Sequence, residues 1–313
     1  MISIYKTNDK NGLVRSDKIV ENCWINLVAP TPEEIALVVK VTGVDEQFII
    51  KILDDEETPR IDTSGNATLI VVDTPCFEDR HPKNRYITMP LGIIICSNNY
   101  FITVSLTENE ILKDFTTGKI KNFFTFKKTR FTIQILLKIS TTYLKYLTII
   151  NDEIESKEKV LYKSTGNQEL INLLNTEKSL VYFITALKAN EIILEKLIKG
   201  NIIPLFEDDA DLLDDAIIEN KQGLEMAILY REILSSMSDT YATIISNNLN
   251  SLMKFLAGIT IIFSVPTMIA SFLGMNVSFG KFGQSDYAFI IVIILSLILS
   301  IIIALFLKKK DML

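Results

Sequence analysis

The sequence holds a single histidine and only three cysteines in 313 residues. The histidine, His81, sits in the polar segment Glu78-Asp79-Arg80-His81-Pro82. A zinc site or a His-based catalytic relay would need partners that this composition does not offer. Cys23, Cys76 and Cys96 are odd in number, widely spaced and form no CxxC, which reads as buried thiols in a reducing compartment. A glycine-rich phosphate loop and a nucleophile motif are both missing, so an enzyme is the least supported class. Positive charge is not in excess. The net charge is −6, with no basic stripe and no recognition motif, and this argues against nucleic acid as a partner. An acidic balance is compatible with a metal-cation partner without implying one. Met1 to Lys18 lacks the apolar core of a signal peptide, so the N-terminal part is expected to stay in the cytoplasm.

What the chain has in abundance is apolar length. Phe255 to Leu273 is an apolar run of about 19 residues, enough for one membrane-spanning helix. Tyr287 to Leu307 supplies about 21 more. Lys254 precedes the first run, and Lys308, Lys309 and Lys310 follow the second. The positive-inside rule then places both termini in the cytoplasm and the short loop 277–286 outside, in a cell inner or plasma membrane. The expected organisation is a cytoplasmic domain over 1–250 and a membrane domain over 251–313, with spans at 253–273 and 287–307. Ser296 and Ser300, four apart, are expected to face the first span.

The cytoplasmic part divides again. Residues 1–125 read as mixed strand and helix, and 126–250 as helical, so the fold class is α+β. Ile2–Tyr5, Cys23–Val28 and Ala67–Val72 are strand-like, and Leu91–Cys96 with Tyr100–Ser105 reads as a hairpin. Thr31-Pro32-Glu33-Glu34 is a helix start, with Thr31 as cap and Glu34 completing a capping box. A second helix is expected over Asp45–Leu53, ended by the acidic run from Asp54, which reads as a solvated loop. Thr129–Glu158 and Glu169–Lys199 carry apolar residues at three-to-four spacing, with a break marked by Gly166. From about Asp209 one helix should then run into the first span, with Gly223 as its weak point and Pro266 inside the membrane. Its apolar face is expected to be Leu213, Ile217, Leu224, Ile228, Tyr241, Ile245, Leu249 and Leu252. From Leu213 to Phe272 such a helix is about 90 Å long.

The first span is not uniformly apolar. Met253, Ala257, Thr260, Ser264, Thr267 and Ser271 recur at alternating spacings of four and three, which places them on one helix face. Small and hydroxyl residues suit close packing between membrane helices. They suit a pore wall equally, and a pore requires a ring of copies, because one helix cannot enclose a channel. The span ends in Gly274-Met275-Asn276. Gly274 is expected to take a left-handed conformation as a helix terminator. Free carbonyls there, with the Asn276 amide oxygens repeated around a ring, would form a neutral, oxygen-rich mouth. That suits a hydrated divalent cation such as Mg2+. The start of the same helix carries Glu207, Asp208, Asp209, Asp211, Asp214 and Asp215. They either complement the helix dipole or bind a divalent cation between copies.

Together, the Gly-Met-Asn triplet after the penultimate span, the second span, the lysine-rich tail and the long acidic helix resemble the CorA family of divalent-cation channels. The resemblance covers essentially the whole chain. It implies a funnel-shaped homopentamer, embedded in membrane lipid and without organic cofactor, that conducts Mg2+ and in some members Co2+ or Ni2+. Gly274, Met275 and Asn276 fall on the family's selectivity filter. Asn250, Met253, Ala257, Ser264, Thr267 and Ser271 fall on its pore positions. The family's inhibitory-ion carboxylate falls on Asp215, or on Asp214 if the register slips by one. Leu273 departs from the usual Tyr, and Ser264 stands where many members have a bulky apolar residue. The alternatives are Co2+/Ni2+ uptake or a Zn2+ transporter of the related ZntB type and, from another class, a two-span oligomeric scaffold or sensor.

Overall fold

The structure is a computed structural model and describes residues 1–8, 12–78, 85–161, 167–200, 202–275 and 287–310. His81, Gly166, Asn276 and the loop 277–286 lie outside them. By internal contacts the chain forms two units, Met1–Met237 and Ser238–Leu313.

The first unit is built on one mixed sheet. Its strands among the described residues are β1 (Ile2–Thr7), β2 (Leu13–Ser16), β3 (Trp24–Val28), β4 (Arg60–Ser64), β5 (Ala67–Glu78), β6 (Arg85–Cys96) and β7 (Phe101–Ser105). Their order is β2-β1-β3-β7-β6-β5-β4. Only β3 and β7 pair in parallel, so a crossover must join them. That crossover includes α1 (Pro32–Thr42), α2 (Glu46–Ile50) and the 3-10 turn Lys51–Leu53. The helix start behaves as its residues dictate. The Glu34 N–H donates to Thr31 Oγ1 at 3.3 Å, and the Thr31 N–H donates to the Glu34 carboxylate at 2.9 Å.

Alternation along the strands gives the sheet two apolar faces. One packs Ile25, Leu27, Leu69, Val71, Ile94, Ile102 and Val104 with Ile35, Val38, Phe48, Ile49 and Ile52 of the crossover. The other carries Trp24, which meets Phe131 edge-to-face at a ring separation of 5.1 Å, and Phe101, which stacks on it at 4.3 Å. Phe131 belongs to α4 (Lys128–Leu161), which follows α3 (Glu110–Thr116) and precedes α5 (Asn167–Lys199). The buried Trp24 indole N–H donates to Thr103 Oγ1 at 2.7 Å, so its one polar atom is satisfied.

One junction tests this packing. β4 ends its pairing with β5 at Val71, and two residues further Asp73 has no strand partner on that edge among the described residues. The amide of Asn190 on α5 takes the strand's place. The Asp73 N–H donates to Asn190 Oδ1 at 2.9 Å, and Asn190 Nδ2 donates to the Asp73 carbonyl at 2.8 Å. The Tyr143 hydroxyl donates to the same carbonyl at 3.2 Å. The Asp73 carboxyl is carried into this junction, and burial pushes its pKa up to about 6. A carboxyl with a raised folded-state pKa favours the fold when protonated. That stability is lost as pH rises from the ordinary value near 4 through about 6. At one pKa unit per 1.36 kcal/mol the cost at pH 7 is roughly 3 kcal/mol. Asp73→Asn should therefore raise the thermal midpoint at pH 7 by several degrees and leave it nearly unchanged at pH 4. Equal shifts at both pH values would show that the gain comes from something other than ionisation.

From Glu207 the chain is one helix, α6 (Glu207–Leu273), 67 residues through Pro266, or about 100 Å. It contributes to both units. Its buried face in the first unit is Leu213, Ala216, Asn220, Gly223, Ala227 and Leu234. The expected apolar stripe is met at Leu213 and Tyr241, which are buried, and not at its other positions within the single chain. Ile217, Leu224 and Ile228 are only half-buried, and Leu249 and Leu252 are 59% and 60% exposed. Close approach selects small side chains, and hydropathy alone does not rank them. The second unit joins the C-terminal part of α6 to α7 (Ala288–Lys309). Both helices are long and apolar enough to cross a membrane.

Candidate functional site

In the second unit α6 has two unlike faces. One carries Gly258, Ile262, Val265, Pro266, Ile269 and Leu273, all at least partly buried. With Val292, Ile293 and Ser296 of α7, residues Pro266, Ile269, Ala270 and Leu273 line a cavity of about 610 Å3. Ser300 is also buried. The two serines of α7 thus lie on its covered side, as their spacing predicts.

The other face is uncovered. Met253, Ala257, Thr260, Ser264, Thr267 and Ser271 are all exposed in the single chain. Thr260, Ser264, Thr267 and Ser271 line an open groove of about 660 Å3 with Ile259, Phe263, Met268 and Phe272. The hydroxyl stripe therefore does not serve packing against α7 of the same chain. Its hydrogen bonding is also specific. Thr260 Oγ1 donates to the Leu256 carbonyl at 2.8 Å, Ser264 Oγ to Ile261 at 2.8 Å, and Thr267 Oγ1 to Phe263 at 2.9 Å. A hydroxyl has one proton and two lone pairs. With the proton committed to its own helix, each of these three side chains offers acceptors outward. Acceptors are what the water hydrogens around a cation require.

Asn250 lies on α6 one turn before Met253 and is exposed. Gly274 and Met275 follow the helix end and are exposed too. The Gly274 N–H still donates to the Ala270 carbonyl at 3.0 Å, and Met275 donates to Phe272 at 3.3 Å. Gly274 is absent from the residues with positive φ, which include Gly43, Gly65 and Gly118. The expected left-handed termination is thus corrected, because the chain leaves α6 through a tightened last turn. A Cβ at Gly274 would lie 3.4 Å from the Ala270 carbonyl oxygen, so the absent side chain mainly leaves backbone carbonyls uncovered. Asn276 lies outside the described residues.

At the other end of α6 the acids separate. Asp209 is buried and pairs with Arg130 of α4 at 3.4 Å, which ties the start of α6 to the first unit. Asp214 and Asp215 are exposed beside the buried Leu213 and Ala216. Among the described residues no group of three or more His, Cys, Asp or Glu gathers as a metal site within one chain. Two adjacent carboxylates with the rest of the shell left to water match what Mg2+ usually takes from a protein. In the acidic run after α2, the Asp54 carboxylate accepts from the Glu56 N–H and Glu57 pairs with Arg60. Those acids serve local structure. Cys23 and Cys96 are buried free thiols, and burial pushes the Cys96 thiol up to about 11. The roles of Asp73, Arg130 and Asn190 carried no motif in the sequence and emerge only from tertiary packing.

The structure is similar to the complete structure of the CorA magnesium transporter from Methanocaldococcus jannaschii. The TM-score is 0.81 and the identity 25%, over 99% of this chain and 96% of that one. A curated relative from the same organism, a cobalt/magnesium transport protein, is 28% identical over 289 residues, 89% of this chain and 87% of its own length. The cytoplasmic domain of ZntB from Vibrio parahaemolyticus has a TM-score of 0.59 at 12% identity, covering 79% of this chain and 97% of that one. That likeness shows the fold alone. The family model for the CorA-like Mg2+ transporter protein matches residues 21–309, and the chain therefore belongs to the CorA family.

Proposed function

We propose that the chain is one subunit of a homopentameric channel for Mg2+ uptake across the cell membrane. The observation that carries this is the uncovered stripe of self-bonded hydroxyls on the face of α6 turned away from α7. Copies arranged around an axis would bring these stripes together as a wall of acceptors. Met253, Ala257, Ser264, Thr267 and Ser271 would line it, with Asn250 at the inner end. Gly274, Met275 and Asn276 would form the outer filter. Residues 1–250 would lie in the cytoplasm and 251–313 in the membrane, with both termini inside and 277–286 outside. An ion passing hydrated needs no ATP. At −100 mV a divalent cation gains about 4.6 kcal/mol on entry, twice the single-charge value. Asp214 and Asp215 would hold closing Mg2+ between subunits.

The family and the relatives' names support Mg2+ or Co2+ as cargo. Ni2+ uptake and ZntB-like Zn2+ transport remain the competing cargoes, and a two-span scaffold is the competing class. Purified protein in liposomes separates them when Mg2+, Co2+, Ni2+ and Zn2+ influx are measured side by side. Mg2+ influx driven by an inside-negative potential is expected. No influx of any of the four, with the oligomer intact, would leave the scaffold. In the same assay an inert hexaammine complex, which cannot exchange its ligands, should bind the oxygen mouth and block from the loop side. Undiminished Mg2+ influx at saturating complex would mean that the filter strips water first.

A further inference from the structure

Between Leu213 and Leu234, α6 buries only small residues against α4 and α5: Ala216, Asn220, Gly223 and Ala227. A Cβ added at Gly223 would meet the side chains of Leu187 and Leu144 at 3.5 and 3.7 Å, so the helices are close. Bulk enters this contact from the leucines of α4 and α5, while the fully buried positions of α6 present little relief, so polar contacts help to set position along the axis. Two are present. The Ser140 hydroxyl on α4 lies 3.1 Å from the Ala216 carbonyl and 3.2 Å from its own Leu136 carbonyl, so one proton serves two acceptors. Asn220 Nδ2 donates to the Leu187 carbonyl of α5 at 2.9 Å. Asn220 is 1% exposed, and its Oδ1 is buried with no hydrogen-bond partner among the described residues. A buried acceptor without a donor bears a desolvation cost that this register leaves uncompensated.

Ala216 and Asn220 are one helical turn apart on the same face. The shared Ser140 proton and the unpartnered Asn220 oxygen therefore meet neighbouring parts of α6. We propose that Asn220 is a positioning residue that sets the axial register of α6, and that α6 has a second register in which the Ser140 hydroxyl donates to Asn220 Oδ1. Movement by less than one turn, about 5.4 Å, suffices. Packed helices with small residues between them shift in such discrete steps. The same helix continues to Leu273, so its register is one quantity that both ends of α6 share. Only the link to Mg2+ rests on the proposed channel function; the two registers do not.

The test uses the full-length oligomer, with spin labels on Lys188→Cys of α5 and Gln222→Cys of α6. Both positions are exposed, and labelled subunits are diluted into unlabelled ones. Two label distances are expected, with weights that differ between EDTA and Mg2+. Ser140→Ala should remove the second distance, and Asn220→Ala should broaden both. Where channel activity is present, Ser140→Ala should also move the half-inhibitory Mg2+ concentration at least threefold. A merely structural role would change thermal stability without changing the distance weights. A single distance in the parent protein under both conditions would overturn the proposal. So would two distances that survive both substitutions unchanged.

Discussion

Liposomes carrying the Asn276→Ala protein are expected to take up Mg2+ no faster than empty liposomes, although the oligomer assembles normally. The substitution removes an amide oxygen at the expected outer mouth and no apolar volume from either span. A hydrated ion held through its water loses about 1 kcal/mol of hydrogen bonding for each acceptor removed. In the proposed pentamer five copies would raise this to about 5 kcal/mol, which lowers occupancy of the mouth more than a thousandfold. The hydroxyl stripe cannot compensate, because Ser271, the last of its members, belongs to α6 and precedes Asn276 by five residues in the sequence. Thr267→Val gives the contrast. It is nearly isosteric and removes one acceptor ring within the wall, where Ser264 and Ser271 remain, so flux should fall far less. Uptake by Asn276→Ala at the parental rate, with normal expression and assembly, would remove the triplet from the filter.

The two ends of α6 were legible in the sequence to different degrees. The hydroxyl stripe could be read because its spacing is local. Alternating steps of three and four fix one face whatever the rest of the chain does, and the structure leaves that face uncovered. The capping box at Thr31 is local in the same sense. The passage of α6 through Pro266 was readable because Pro removes one helix bond in a run that is otherwise strongly helical. The conformation of Gly274 was misread from a general preference of glycine at helix ends. The last turn tightens instead, which needs no positive φ. The face of α6 that packs on α4 and α5 includes Leu213 as its hydropathy predicts, but departs from the expected stripe at the next positions. Hydropathy favours Ile217, Leu224 and Ile228, but proximity of the helices demands Ala216, Asn220, Gly223 and Ala227. Likewise, nothing local to Asp73 announces that β4 stops two residues short and that Asn190, 117 residues away, completes the sheet edge.

The separation of acids along the start of α6 bears on gating. Asp209 is committed to Arg130, whereas Asp214 and Asp215 are exposed. The exposed pair sits beside the small-residue contact that begins at Ala216, so charge placed there acts at the point where α6 meets the rest of its unit. A cation that binds only when two subunits bring their carboxylates together would favour the closed packing alone. Mass action sets the size of the bias. At Mg2+ tenfold above the dissociation constant each site contributes about 1.4 kcal/mol. Five such sites in the proposed pentamer would contribute about 7 kcal/mol, more than the roughly 5.5 kcal/mol that takes a population from mostly open to mostly closed.

Replacing Asp214 and Asp215 together by Asn should therefore abolish closure by internal Mg2+. The change keeps side-chain size on an exposed helix face, so the fold is expected to tolerate it. The two acids lie at the end of the second turn and the start of the third in a helix that retains Glu207, Asp208 and Asp209 in its first, and loss of dipole stabilisation is limited to a few tenths of a kcal/mol. The double variant should conduct at internal Mg2+ concentrations that shut the parent channel. It should also lose any protection from proteolysis that Mg2+ gives the parent, since closing packing and protection would come from the same bound ions. Each single replacement should shift the half-inhibitory concentration without removing closure, because one carboxylate per subunit still attracts the ion. If the double variant closes at the same Mg2+ concentration as the parent and keeps the same protection, these acids do no more than complement the dipole of α6. The ion that closes the channel must then be held by other carboxylates.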